Sequence, residues 1–460
     1  MALSIEKKLT FPGGTHPNGR KELAAEMRIK AAPAPKELAV MLSQHIGAFC
    51  KPLVKKGDSV AAGEKIGAAD AFVSAAVHSP VKGVVKGISL RSHVVLGRGP
   101  AVIIEPDQQN EGPEDFHKLG VFEDFRLEDY PAETILAAVA EAGIVGMGGA
   151  GFPTRVKIEP SSKPVKKTLI VNGCECEPYI TGDYRVMVEW APQVIAGAML
   201  AQKAAGCTEV FLAIEDNKPK AIEAMKNAVG DFSVAGENIK VVTVRTKYPQ
   251  GGERQLVRAL LKKEIPTGSI PPAIGVVILN VATCAAIAAA AVSGEPLTHR
   301  VVSVTGEGIL EPSNYYCPIG ISVRELIEAS GGFAESADRV ILGGPMMGIS
   351  IADLSTPVTK TTGAITVLKR GQIEAANYNK VQTACIRCGR CIEVCPAGIN
   401  PTKIAHTVKN GLIDLAESYY ISACIECGCC SYVCPANIGL TGLIKSGKIY
   451  LATKDLKVPK

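Results

Sequence analysis

Eight of the chain's 15 cysteines fall into two copies of one spacing. Cys385, Cys388, Cys391 and Cys395 precede Pro396, and Cys424, Cys427, Cys430 and Cys434 precede Pro435. C-x2-C-x2-C-x3-C-P is the ligand spacing of [4Fe–4S] clusters. Three thiolates two residues apart let a tight loop wrap three corners of a cubane, and the fourth cysteine, on the helix that follows, points at the neighbouring cluster. The expected ligand sets are Cys385, Cys388, Cys391 and Cys434 for one cluster, and Cys424, Cys427, Cys430 and Cys395 for the other. Cys429 falls outside the spacing and is read as a non-ligand neighbour. Zinc sites tend to use C-x2-C pairs with longer separations, and two complete repeats ending in Cys-Pro fit that poorly. Two clusters form a short one-electron wire, which needs a source and a sink.

A second concentration of possible ligands is "VNGCECEPYI", residues 171–180, with Cys174, Glu175, Cys176 and Glu177 in succession. C-x-C supplies two thiols, and no His or further Cys pair lies nearby in sequence to complete a metal site. The carboxylates suit another task, accepting hydrogen bonds from ribose hydroxyls and disfavouring an extra 2′-phosphate. The expectation is a nucleotide rim that prefers NAD(H) to NADP(H), with a third metal site as the alternative.

The elements that must position these residues begin near Tyr130. "PAETILAAVAEAG" has helical apolar spacing, and it runs into a loop with five glycines between Gly143 and Gly151. Strands are expected at 168–172, 210–215, 239–244 and 275–280, with helices starting near Trp190, Pro219 and Gly252. This βαβ alternation implies a mostly parallel sheet covered by helices. "NGCECEP", "EDNKP" and "KYPQGGE" follow the first three strands, and Asn280 closes the fourth. Ligands of open α/β sheets bind outside the carboxyl ends of the strands, so separate segments converge on one crevice. Gly146, Gly148, Gly149 and Gly151 lack the spacing of the dinucleotide fingerprint and of the P-loop. They could equally serve a structural turn, but they also leave backbone N–H groups free to approach an anion, with Lys157 nearby as a point charge.

The bulk composition bounds the rest. A chain of 460 residues should form three or four domains at about 150 residues each. It is 47% hydrophobic but only 5% aromatic, so aliphatic and alanine packing must supply the core. A net charge of +5 is too weak to argue for nucleic acid, and no basic stripe is interleaved with aromatics. The first residues hold no apolar stretch of signal-peptide length, which predicts a cytoplasmic protein whose many cysteines serve ligation rather than disulfides. The most apolar run, residues 275–294, is alanine-rich and carries Asn280 and Thr283. It reads as a strand followed by a buried helix, not a membrane span.

"GMGGAGFPTRVK" with "NGCECEP" resembles the flavin- and NADH-binding subunit of respiratory complex I. Adding "FPGGTHP" (11–17), "LSQHIGAFCKPLVKKGD" (42–58), "VSAAVHSPVKG" (73–83) and the paired cluster motifs, the chain resembles the C-subunit family of the Rnf ion-translocating ferredoxin:NAD oxidoreductase complex over essentially its whole length. The resemblance implies a multidomain α/β fold. Residues 1–129 would form a barrel-sandwich module, 130–297 a Rossmann-like FMN/NADH domain, 298–370 a soluble-ligand-binding β-grasp domain, and 371–460 an α-helical domain with two [4Fe–4S] clusters.

By the same resemblance Gly146, Gly148, Gly149, Ala150, Gly151 and Lys157 would hold FMN, and Asn172 would contact the flavin. Glu175 and Glu177 would face the nicotinamide nucleotide. Tyr248, Gly251 and Glu253 occupy the place of a second acidic turn, and Asn280 that of a flavin-contacting asparagine. Cys174 and Gly252 depart from the complex I pattern, so contacts there are not carried over. Hydride exchange between NAD(H) and FMN needs no acid–base residue, which fits the absence of a catalytic triad. The implied partners are an iron–sulfur subunit and multi-span membrane subunits, with this chain peripheral on the cytoplasmic face. Rival readings are a microcompartment cobalamin reductase and a passive ferredoxin-like relay without flavin.

The flanking modules are read more plainly. Residues 54–88 have the short strands and Gly turns of a biotinyl/lipoyl-like barrel, but Phe72 stands where a carrier lysine would be. That module is expected to be a docking scaffold, with His78 and His93 structural. Residues 301–333 read as strands followed by a helix from about Ser322, and "GGPMMGIS" (343–350) as a packed turn. The lysine-rich tail, residues 445–460, is read as a solvated end.

Overall fold

The computed structural model describes residues 9–107, 125–159, 167–232, 238–371 and 381–453. The last residues of the lysine-rich tail lie outside these.

The N-terminal module packs two small sheets. Strands β1 (Ile29–Ala31), β2 (Leu38–Met41), β3 (Lys51–Pro52), β4 (Ser59–Val60), β5 (Lys65–Ala68), β6 (Val77–His78), β7 (Gly83–His93) and β8 (Gly97–Pro106) follow in order. The sheet orders are β2-β8-β7-β4 and β3-β5-β6, and Leu38, Val40, Ile66, Val77, Val102 and Ile104 fill the space between. β1 belongs elsewhere, because it pairs in parallel with a strand of the β-grasp domain. Residues 9–31, assigned by sequence to the barrel, therefore run over the other domains.

The flavin-type domain contains α1 (Ala132–Glu141), α2 (Thr154–Ile158), β9 (Lys167–Gly173), α3 (Gly182–Glu189), α4 (Ala191–Ala205), β10 (Cys207–Glu215), α5 (Pro219–Asp231), β11 (Ile239–Val244), α6 (Glu253–Leu261), β12 (Val276–Asn280) and α7 (Val281–Ser293). All pairings in its sheet, ordered β11-β10-β9-β12, are parallel. The four expected strands are present, β9 and β10 somewhat longer than expected, while α3 precedes the helix expected near Trp190. The apolar run at 275–294 is β12 followed by α7, whose first residues are capped by the Asn280 side chain. Its alanines allow close packing on α4, where a Cβ on Gly197 would collide with the Cys284 carbonyl. Burial of such small side chains on both faces gives a near-continuous apolar core.

The β-grasp domain has β13 (His299–Thr305), β14 (Ser313–Pro318), α8 (Val323–Ala329), β15 (Ala337–Leu342), β16 (Ile349–Ile351) and β17 (Ala364–Lys369). With β1 they form one sheet in the order β1-β14-β13-β17-β15-β16. Ser322 and Glu325 cap α8 reciprocally.

Lys360 links three modules. Its buried ammonium donates to Ala76 O at 2.6 Å and Gly143 O at 2.7 Å, and its N–H donates to Gln44 Oε1 at 2.9 Å. Burial pushes its pKa down to about 7.

The C-terminal domain repeats itself in conformation as well as in sequence. Arg387 and Glu426 have φ of 55° and 57°, and Gly389 and Gly428 of 79° and 81°. Each cysteine loop thus turns through the left-handed region twice, the second time at a glycine, before its short helix, Arg390–Glu393 or Cys429–Tyr432.

A strand-end crevice joined to a cysteine cage

The glycine loop is pinned at its base and open at its tip. Gly146 N–H donates to Phe152 O at 2.9 Å, Thr154 N–H to Ile144 O at 3.0 Å, and Met147 N–H to Thr283 Oγ1 at 2.9 Å. Gly148, Gly149 and Ala150 are exposed. Their N–H groups meet no acceptor among the described residues, and a Cβ on Gly149 would meet nothing within 4 Å. Gly148 is constrained differently, since its Cβ would stand 2.7 Å from Asn280 Nδ2. Free amides in an open, side-chain-free loop fit an anionic cofactor that approaches backbone closely.

The strand ends close around this loop. Asn172 Nδ2, leaving β9, donates to Gly251 O at 2.8 Å. Asn280 Nδ2, leaving β12, donates to Asp183 Oδ2 at 2.6 Å. Lys157 Nζ lies 2.9 Å from Glu253 Oε1 and 3.3 Å from Ile278 O. The glycine loop, Lys157, Asn172, Gly251, Glu253 and Asn280 are therefore brought into one neighbourhood at the carboxyl edge of the sheet.

Glu175 and Glu177 depart from expectation. The sequence points each at a nucleotide, and each instead turns inward to brace the loop. Glu175 adopts φ 47°, and its carboxylate, with a side chain 3% exposed, accepts from Asp183 N at 2.6 Å and Tyr184 N at 3.3 Å at the start of α3. Glu177 accepts from Met346 N at 3.1 Å and Met347 N at 2.8 Å in the "GGPMMG" turn. Burial pushes both carboxyls up to about 7. The physical reason is local: backbone amides of a helix start and of a turn have no other acceptor, and these carboxylates supply it.

Sequence reasoning missed the lysines that shape this loop. Lys21 Nζ donates to Glu175 O, Glu177 O and Ile180 O at 2.7, 2.9 and 2.6 Å, which uses all three ammonium protons. Lys218 Nζ donates to Cys174 O at 2.6 Å and pairs with Glu215 Oε2 at 3.0 Å. Nothing local to "GRKEL" signals the first role; the lysine reaches its loop only through the fold.

Tyr248 also differs from a pocket-lining residue. It is 2% exposed, and its phenol donates to Cys427 O at 2.7 Å. The segment "FPGGTHP" straps the same junction. Thr15 and Tyr248 exchange backbone bonds of 2.8 and 2.9 Å, and Gly14 N–H donates to Val394 O at 2.8 Å. A Cβ on Gly13 would stand 2.9 Å from Cys395 O, so the approach of the strap to the cysteine domain needs glycine.

The cysteine loop under Tyr248 forms a cage. Cys395, Cys424, Cys427 and Cys430 line one cavity, together with apolar Pro396, Ile399, Ile425 and Ile444. Four thiols of the expected set around one apolar cavity fit a cubane. Among the described residues no three His, Cys, Asp or Glu side chains gather closely enough to hold a single metal ion; these thiols are spread around their cavity instead. Cys429 also borders this cavity, and its Sγ lies 3.8 Å from Thr15 Oγ1 and 3.9 Å from Tyr248 O. Of the other expected set, Cys385 and Cys388 are exposed, and Cys391 and Cys434 are half-buried. Two further contacts repeat between the loops. Arg387 N–H and Glu426 N–H reach Cys385 Sγ and Cys424 Sγ at 3.4 Å. Thr402 Oγ1 lies 2.9 Å from Cys391 Sγ, and Thr441 Oγ1 3.5 Å from Cys430 Sγ. The threonines are legible as the same residue eleven places after the third cysteine of each repeat, a signal the cysteine spacing overshadows.

Parallel sheet, open glycine loop and paired cysteine loops define a class, the flavin- and iron–sulfur-containing electron-transfer subunits. Residues 139–289 match the Nuo51 FMN-binding domain family, 9–109 the RnfC barrel sandwich hybrid domain, 301–350 the SLBB domain and 380–438 the 4Fe-4S dicluster domain. The chain is 40% identical over 411 residues to the C-subunit of the proton-translocating ferredoxin:NAD(+) oxidoreductase complex of Clostridium ljungdahlii, covering 89% of this chain and 87% of that one. It is 40% identical over 410 residues to the Na(+)-translocating counterpart of Acetobacterium woodii, covering 89% of each. The C-subunit of the ion-translocating oxidoreductase complex of Rhodobacter capsulatus is also 40% identical, over 88% of this chain and 76% of that one. The chain belongs to this C-subunit family. Among solved structures, a chain of the NAD+-reducing [NiFe]-hydrogenase in the air-oxidized state shares the fold, with TM-score 0.51 and 20% identity over 66% of this chain and 58% of that one.

Proposed function

We propose that the chain is the NAD(H)-reactive electron-transfer subunit of an ion-translocating ferredoxin:NAD(+) oxidoreductase complex. When bound, FMN supplies the exchange between two-electron hydride chemistry and one-electron transfer to the clusters. The N–H groups of Gly148, Gly149 and Ala150, with Lys157, hold the cofactor's phosphate, and Asn172, Gly251 and Asn280 orient it from the strand ends. Gly146 and Gly151 set the bend of the loop, and Glu253 pairs with the Lys157 ammonium in competition with the phosphate. Glu175 and Glu177 keep the floor loop in shape from within.

Cys424, Cys427, Cys430 and Cys395 hold the near cluster. Cys385, Cys388, Cys391 and Cys434 hold the outer one, whose loop lies at the surface for exchange with an iron–sulfur subunit. No helix among the described residues is long and apolar enough to cross a membrane. We assign the chain to the cytoplasmic face, against multi-span subunits, on the strength of the complexes its relatives are named for.

One observation carries this reading. The loop that follows β11 meets the strand-end crevice through Gly251 O and Asn172 Nδ2, 2.8 Å apart, and meets the near-cluster cage through Tyr248 and Cys427, 2.7 Å apart. Anaerobically reconstituted protein tests it. Flavin released on denaturation, together with NADH-dependent bleaching of the cluster absorbance, supports the proposal. Iron absorbance without flavin or any response to NADH would make the chain a passive relay.

A further inference from the structure

The barrel has an aromatic tip that no part of the flavin site accounts for. Two loops form it, and they are stitched together. Ala48 N–H donates to Val73 O at 3.1 Å, Ser74 Oγ to Ala48 O at 3.1 Å, and Cys50 Sγ to Ala75 O at 3.0 Å. His45 Nε2 accepts from Ala75 N at 3.1 Å, and a Cβ on Gly47 would collide with the Val73 carbonyl. Phe49 and Phe72, one residue to either side of the Ala48–Val73 pairing, are nevertheless 51% and 64% exposed. Two large apolar rings held on a rigid support and left in solvent are an unfavourable arrangement for the free protein alone.

The tip lies against the glycine loop. Ile46 N–H donates to Gly151 O at 3.3 Å, and a Cβ on Gly151 would be 3.5 Å from His45 Cα. The Phe72 ring faces Arg155, whose guanidinium carbon is 5.7 Å from the ring centroid. Arg155 stands on α2 two residues before Lys157, steadied by Glu159 at 3.0 Å. An exposed aromatic face beside a guanidinium plane is a receptor for a flat heteroaromatic ring. Carrier domains of this shape present a lysine at the tip; this one presents a ring.

We propose that Phe72 and Arg155 form the platform on which the adenine of NAD(H) stacks, so that the barrel supplies the outer wall of the nucleotide site. This rests on the reading that the glycine loop is the flavin and nucleotide site. The adenine is the part of the dinucleotide remote from the hydride-bearing ring, and the tip stands at the exposed outer side of that loop. The contact is sequence-cheap, needing no charge and no hydrogen bond to the base, and it discriminates a dinucleotide from a mononucleotide.

The test uses oxidised holoprotein and calorimetric titration with NAD+, with AMP and with nicotinamide mononucleotide, which lacks the adenine. Phe72→Ala should weaken NAD+ and AMP by roughly tenfold, leave nicotinamide mononucleotide unchanged, and leave FMN and about eight irons per chain in place. Phe72→Trp should restore NAD+ affinity. Equal NAD+ binding by wild type and Phe72→Ala overturns the platform, as does equal weakening of all three ligands. In either case retained FMN leaves the glycine-loop reading standing. Loss of membrane copurification at unchanged NAD+ affinity also overturns it and makes the tip a docking face. Wild-type protein that holds FMN but binds no nicotinamide nucleotide would sink the nucleotide half of the site and this wall with it.

Discussion

Tyr248 Oη donates to the carbonyl of Cys427 at 2.7 Å, and this bond ties the flavin-type domain to the cysteine cage proposed to hold the near cluster. The same tyrosine pairs through its backbone with Thr15 of the N-terminal strap. Flavin domain, strap and cysteine cage are thus fastened at one buried point.

Tyr248→Phe keeps the ring and removes the donor. The Cys427 carbonyl is left without this partner, which should cost about 1–2 kcal/mol of stability. Stopped-flow absorbance should show flavin reduction by NADH unchanged and cluster bleaching slowed a few-fold. Equal slowing of both phases would mean that Tyr248 acts on the flavin pocket instead.

Lys157 is engaged by Glu253 at 2.9 Å, so a phosphate and this carboxylate compete for one ammonium. Lys157→Ala should lose most bound FMN while the iron content holds at about eight per chain. Glu253→Gln should tighten FMN several-fold in a fluorescence titration of deflavinated protein. Unchanged flavin affinity in both variants would remove the lysine from the phosphate site.

Glu177 gives a pH signature. Burial lifts its carboxyl from the usual 4.5 to about 7, so between those values the folded chain holds a proton that the unfolded chain has released. Its stabilisation is fully present below about pH 4.5 and is lost as pH rises through about 7, a swing on the order of 3 kcal/mol at most. Melting temperature should therefore fall from about pH 5 to 7 in the wild type, and Glu177→Gln should flatten that slope. Parallel slopes would show that Glu177 does not titrate in this range.

Much of this architecture is legible in the sequence. The four parallel strands follow from short β-rich runs between helical ones, and the gathering of Cys395 with Cys424, Cys427 and Cys430 follows from their spacing. Asn172, Asn280 and the glycine loop meet because strand ends of a parallel sheet share an edge. What spacing cannot convey is direction at a bend. "CECE" reads as an acidic rim, but φ 47° at Glu175 and the waiting amides of α3 and the Met346–Met347 turn draw the carboxylates inward. Lys21 and the Phe11–Thr15 strap are equally silent, since their partners lie more than a hundred residues away and depend on how four modules pack. Tyr248 lies in the expected loop but faces the cysteine cage rather than the crevice.

The order of the two clusters is the centre of the account. Cys424→Ala, which removes a proposed near-cluster ligand, should be reconstituted anaerobically, its outer cluster verified by electron paramagnetic resonance after dithionite, and then mixed with NADH. The account predicts that the flavin is reduced at the wild-type rate while the outer cluster stays oxidised on that timescale. Reduction of the outer cluster by NADH at the wild-type rate, with the near cluster absent, would contradict it.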